Sequence, residues 1–181
     1  MHEAALSAWE SFYVIVGSSG GALIGLQFVV ITLIADRKEL TSPGALSAFG
    51  TPTVVHFAAA LTISAIMSAP WPSLRGPAIL MAACGFAGLI YVAVVMRRAL
   101  RQTEYQPVFE DWIFYLILPA TGYGALLIAG VMMARGRDAM LYEIAAVALA
   151  LLLIGIHNAW DTVTHIAFTG IGKSGPERAQ G

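Results

Sequence analysis

Five apolar runs, each long enough to cross a bilayer as a helix, take up most of this chain and leave only short polar connectors between them. A spanning helix needs about 20 mainly apolar residues, and Ser11 to Ala35, Phe49 to Ala69, Pro77 to Met96, Trp112 to Ala134 and Tyr142 to Phe168 each supply them. Of the 181 residues, 58% are hydrophobic and 12% are charged, whereas soluble domains carry about a quarter charged residues. A soluble fold of this length has too little interior for so much apolar surface, while lipid accepts apolar side chains on the outside of helices as well. The expected fold is all-α: a polytopic membrane helix bundle of five transmembrane helices forming one domain over residues 1-170. A flexible tail follows over 171-181, where Gly172, Gly175 and Pro176 break regular structure.

Several segment ends carry their own signals. Thr51-Pro52 suits an N-cap and first helical position, and Pro70-Trp71-Pro72 ends the second segment with an indole at the interface. Glu110 and Asp111 sit where acids favour a helix N-terminus, and Arg97, Arg98 and Arg101 where cations favour a C-terminus. Trp9, Phe12, Tyr13, Trp71, Trp112 and Tyr142 lie near segment ends and read as interfacial anchors.

Of the 10 Lys and Arg, Arg37, Lys38, Arg97, Arg98, Arg101, Lys173 and Arg178 fall on one side of the expected membrane, and Arg75, Arg135 and Arg137 on the other. The positive-inside rule then predicts an outside N-terminus and a cytoplasmic C-terminus. The first ten residues hold no Lys or Arg, and the run after them is too long for a signal-peptide core, so the first helix is expected to remain uncleaved. The net charge of -1 hides a spatial asymmetry and does not bear on partners, but the chain has no basic tail or stripe, and nucleic acid is not expected as one. The single cysteine, Cys84, allows neither an intramolecular disulfide nor a Cys-based metal site. Among the connectors, only the one from about Arg97 to Asp111 has room for partner contacts, and no internal repeat supports an inverted-repeat transporter. As a whole the chain resembles small bacterial inner-membrane proteins of five helices, a likeness that implies topology and a multi-pass plasma-membrane location but transfers no activity.

Gly17, Gly21 and Gly25 make two overlapping small-xxx-small steps on the first segment, a helix-packing or homo-oligomer face. The strongest functional signal is in the fifth segment. At about 100° per residue, His157, Asp161 and His165 advance by only some 40° per step, with Thr164 between them and Asn158 alongside. Ionisable groups are costly in hydrocarbon, which makes them functional candidates. With each segment midpoint taken as the membrane centre, Gln27, His56 and Asp161 fall about 6, 4 and 9 Å to the cytoplasmic side. Tyr91 and Tyr115 lie in the same half, so all five segments can offer a polar atom to one cavity.

Three chemistries fit such a cavity. The leading expectation is a channel or carrier for a small ion, protons among the candidates, with Asp161, His157, His56, Gln27, Asn158, His165, Thr164 and Tyr115 as the ion-binding or relay set; this needs no cofactor. The alternative is a metal- or haem-binding redox or accessory subunit, with His56, His157, Asp161 and His165 as candidate ligands. A purely structural hydrogen-bond network is the third. An enzyme is the less favoured class. Gly17-Ser18-Ser19-Gly20-Gly21 nonetheless resembles the serine motif of rhomboid-type intramembrane proteases, which implies Ser19 as nucleophile. Ser19 lies some 8 Å in depth from His157, against the ~3 Å that a nucleophile and its base require. Thr121-Gly122-Tyr123-Gly124 resembles a potassium-channel filter, but it sits in a continuous apolar segment just after Pro119 and is better read as a Pro/Gly kink.

Overall fold

The computed structural model describes residues 6–35, 43–101 and 109–173, and these are helical apart from short turns, with no strand among them. The helices are α1 (Glu10–Ala35), α2 (Pro43–Ser68), α3 (Arg75–Arg101), the short α4 (Phe109–Trp112), α5 (Leu118–Ala134) and α6 (Met140–Lys173). A π-helical turn, Ile113–Ile117, joins α4 to α5. Ile117 and Leu118 keep right-handed helical dihedrals, so α4, the π turn and α5 form one continuous rod. Five helices are therefore long and apolar enough to cross a membrane. Of the expected tail, α6 takes in residues up to Lys173, and the rest lies outside the described residues.

One local expectation is corrected. Thr51-Pro52 does not start a helix: α2 begins at Pro43, whose ring suits the first turn, and Pro52 lies inside it. Pro119 produces a π turn. Proline lacks an N–H and crowds the carbonyl four residues back, at Tyr115, and the wider turn around that residue accommodates both defects. Thr121 to Gly124 is α-helical, which excludes an extended filter.

Neighbouring helices alternate in direction. Gly17 faces Ser64 and Gly20 faces the Phe57 carbonyl, so α1 and α2 are antiparallel. Gly85 meets Leu127 while Gly130 meets Ala82, making α3 and α5 antiparallel too. The Trp9 and Tyr142 rings meet edge to face at 4.9 Å, which puts the starts of α1 and α6 at the same end. Side by side the order is α1, α2, α6, α5, α3. Half of the α6 span and 44% of the α2 span are buried, against 22% for α1 and α3, so α2 and α6 form the centre.

The outside is as apolar as the inside. Val14, Ile15, Leu26, Phe28, Val29 and Leu33 of α1 and Ile79, Phe86 and Ile90 of α3 are all exposed. Exposed hydroxyls are satisfied within their own helices: Ser18 donates to the Val14 carbonyl, Thr32 to that of Phe28 at 2.9 Å and Thr121 to that of Ile117 at 2.8 Å. Such back-bonding satisfies the hydroxyls without any partner from another helix.

Close contacts between helices rest on glycine. A Cβ at Gly85 or Gly130 would run into the backbone of the facing helix, and one at Gly88 into the Tyr123 ring. On α1, Gly17 and Gly20 have this role, a Cβ on Gly17 falling 2.8 Å from the Ser64 Cβ, whereas Gly21 and Gly25 face open space. The α5–α6 turn closes on Gly136 at φ +83°, a left-handed position open to glycine, from which its N–H donates to the Met133 carbonyl at 2.9 Å. Trp71 caps α2, its indole N–H donating to the Ile66 carbonyl at 2.7 Å.

Candidate functional site

The buried polar side chains lie along the two central helices and the faces that meet them. On α2, Thr53, His56 and Ser64 share the buried stripe with Phe57, Ala60, Ile63 and Met67. His56 is 1% exposed, and its Nδ1 lies 3.1 Å from the Tyr123 hydroxyl of α5. The ring of Tyr123 packs over Gly88 of α3, where a side chain would displace it. Tyr91, one turn further along α3, has a buried hydroxyl without a hydrogen-bond partner. One hydrogen bond therefore ties the central helix to α5, with a second tyrosine on the next helix over.

A second group lies about one helical turn away, toward the start of α2. Gly155 of α6 packs against the Phe57 ring, and with α2 and α6 antiparallel the next turn of α6 brings Asn158 near the level of Thr53. From Gly20, level with Phe57, two turns of α1 carry Gln27 about 10 Å to the same region. Gln27 is 5% exposed, and Thr53 and Asn158 are fully buried. Neither the Oδ1 nor the Nδ2 of Asn158 has a hydrogen-bond partner among the described residues. Leaving such a group unpaired costs about 1–3 kcal/mol. That cost in the best-packed part of the bundle makes this layer the candidate site.

The remaining sequence candidates lie elsewhere. Asp161 is exposed. His157 is half-buried, stacked on Phe114 with ring centroids 3.5 Å apart, and its Nε2 lies 3.7 Å from the Glu110 carboxylate. Thr164 bonds back to the Trp160 and Asp161 carbonyls. Tyr115 is on the π turn with its hydroxyl buried. His165 belongs to α6, but its side chain is outside the described residues. Of the fifth-segment stripe, then, Asn158 turns into the bundle while His157 and Asp161 lie on other faces. His56 and His157 engage different partners on different helices, and no three His, Cys, Asp or Glu among the described residues form a metal-ligand set. Ser19 makes no hydrogen bond to a histidine among the described residues.

Sequence reasoning missed Tyr123, Thr53 and Ser64. Thr53 was open to it, being three residues before His56 and so on the same helix face. Tyr123 was obscured by the filter-like tetrapeptide around it. The chain matches no family model, and no curated protein or solved structure is similar to it at a significant level.

Proposed function

We propose that this chain is an integral membrane protein of the bacterial inner membrane, with its N-terminus outside, that handles protons through the buried polar layer centred on His56. The reading is carried by the His56–Tyr123 hydrogen bond, buried at the centre of the bundle about one helical turn from the level of Asn158. The lining is uncharged: Gln27, Thr53, Asn158 and Tyr123 are neutral polar groups, and the acids Glu110 and Asp161 are exposed. A metal cation entering this layer would find no carboxylate to balance it. A proton has an acceptor in the imidazole of His56, the only side chain of the layer whose ordinary range spans neutral pH. Tyr123 can donate to the imidazole or accept from it, depending on the tautomer. This is the proton form of the small-ion reading, with the working group moved from Asp161 to His56.

Proton flux into liposomes containing purified protein tests it. Flux is expected in wild type, lost in His56→Leu, reduced in Tyr123→Phe and retained in Asp161→Asn. Wild-type protein without flux, or flux indifferent to His56→Leu, overturns the reading.

A further inference from the structure

The side chain of Asn158 is a demand that no described residue of the protein meets. It is fully buried on a central helix, and both its carbonyl oxygen and its amino group lack partners. The amide's own chemistry limits what can satisfy it. A cation would serve Oδ1 alone and face the positive edge of the amino group. An anion would serve Nδ2 alone. A primary amide holds its C=O beside a cis N–H, so a single molecule that both accepts and donates can close a ring on the two atoms. The smallest such guest is water, which is stable inside proteins where it finds two to four polar partners.

We propose that Asn158 holds one internal water, accepting from Nδ2 and donating to Oδ1, whose remaining hydrogen and lone pair face the layer formed with Thr53 and Gln27. Three mutually packed helices, α1, α2 and α6, supply these residues, and each is at least nine-tenths buried. The water lies about one turn from His56, toward the start of α2. In the proton-relay reading, on which this role of the water rests, it is the link that takes the relay past His56 toward the cytoplasmic side. Gly155 contributes by packing under the Phe57 ring, where a Cβ would fall 2.6 Å from the ring. It thereby lets α2 and α6 approach closely enough to enclose a guest of one molecule.

Asn158 is the only asparagine in the chain, so nitrogen-15 asparagine labels this position alone. Water-edited solid-state NMR of the labelled protein in lipid bilayers is expected to show magnetisation transfer from water to the Asn158 side-chain amide. His56, labelled separately, is expected to show transfer as well. Asn158→Leu, close in volume but without the amide, is expected to abolish transfer to His56. Asn158→Ala, which removes both amide partners of the water but leaves its space, is expected to weaken it. An Asn158 amide silent to water overturns the proposal, as does transfer to His56 that is unchanged by Asn158→Leu. Transfer without proton flux in wild-type protein leaves the water site standing and overturns the relay reading instead.

Discussion

His56 and Tyr123, 67 residues apart in the chain, meet at 3.1 Å in the buried centre of the bundle, imidazole Nδ1 to phenol hydroxyl. Each is the other's only described hydrogen-bond partner, and both are nearly inaccessible, at 1% and 2% exposure. Removing one therefore leaves the other unpaired in an apolar interior. Tyr123→Phe or His56→Leu alone is expected to destabilise the protein by about 1–3 kcal/mol. The double variant, with neither polar group left, should lose less than the sum. Unfolding in mixed micelles gives the coupling directly, expected at roughly 0.5–2 kcal/mol, the range of interhelical hydrogen bonds in membranes. Additive losses would mean that the contact contributes nothing.

The glycines divide by what they face. Gly85→Ala and Gly130→Ala push a methyl into the backbone of the neighbouring helix and should separate α3 from α5, with a loss of several kcal/mol or failure to assemble. Gly21→Ala and Gly25→Ala place a methyl in open space and should be neutral or stabilising by up to about 1 kcal/mol, the helix-propensity gain. Thermal unfolding of the four variants separates the two classes. If Gly21→Ala is instead as damaging as Gly85→Ala, a second molecule packs on that outer face of α1.

Much of this architecture was legible in the sequence because apolar runs of this length leave few options. Unbroken apolar runs of spanning length specify helices, and five runs specify five. Which face each helix buries was far less legible. The usual amphipathic signal fails when the outside is as apolar as the inside, as with Phe28 and Ile90 exposed and Phe57 and Ile144 buried. For that reason Gly17, Gly21 and Gly25 read as one packing stripe, although within the chain only Gly17 of the three meets a facing helix, with Gly20 as its companion. Small residues at Ala78, Ala82 and Gly85, spaced four and then three apart, held the stronger signal, but nothing local says which glycines approach backbone. The polar stripe of the fifth segment met the same limit. A helical wheel groups His157 with Asp161, but it does not show that Asn158, about 100° from His157 and 60° from Asp161, is the residue that is buried.

That division leads to a prediction about the outward residues. Asp161→Asn removes an exposed charge at a depth where ionisable groups are costly, so it should leave stability unchanged or raise it. Phe114→Ala removes the ring on which His157 stacks, and the loss should reach about 1 kcal/mol or more, because the stack joins the π turn to α6. Chemical unfolding of both variants, with Phe114→Leu as a control that keeps bulk without aromatic stacking, tests this. Equal losses for Asp161→Asn and Phe114→Ala would place Asp161 in a contact that the structure does not contain.

Orientation rests on charge alone, and it decides which side the Asn158 layer opens to. Of the described Lys and Arg, Arg97, Arg98, Arg101 and Lys173 lie at the end of the bundle where α1, α3 and α6 finish and Arg75, Arg135 and Arg137 at the end where they begin, while the sequence assigns Arg37, Lys38 and Arg178, which lie outside the described residues, to the first side. In a Cys84→Ala background, which removes the only native thiol, single cysteines can be placed at the exposed positions Ser7, Ala139 and Arg97. A membrane-impermeant maleimide added to intact spheroplasts is expected to label Ser7→Cys and Ala139→Cys, and to label Arg97→Cys only after lysis. The reverse pattern would invert the topology and turn the layer of Gln27, Thr53 and Asn158 toward the outside. Because Arg97→Cys itself lowers the charge on the inner side, Leu100→Cys, exposed one turn further along α3, serves as its neutral counterpart. If the two labelled on opposite sides, the arginine itself would be setting the topology, which is the physical content of the rule.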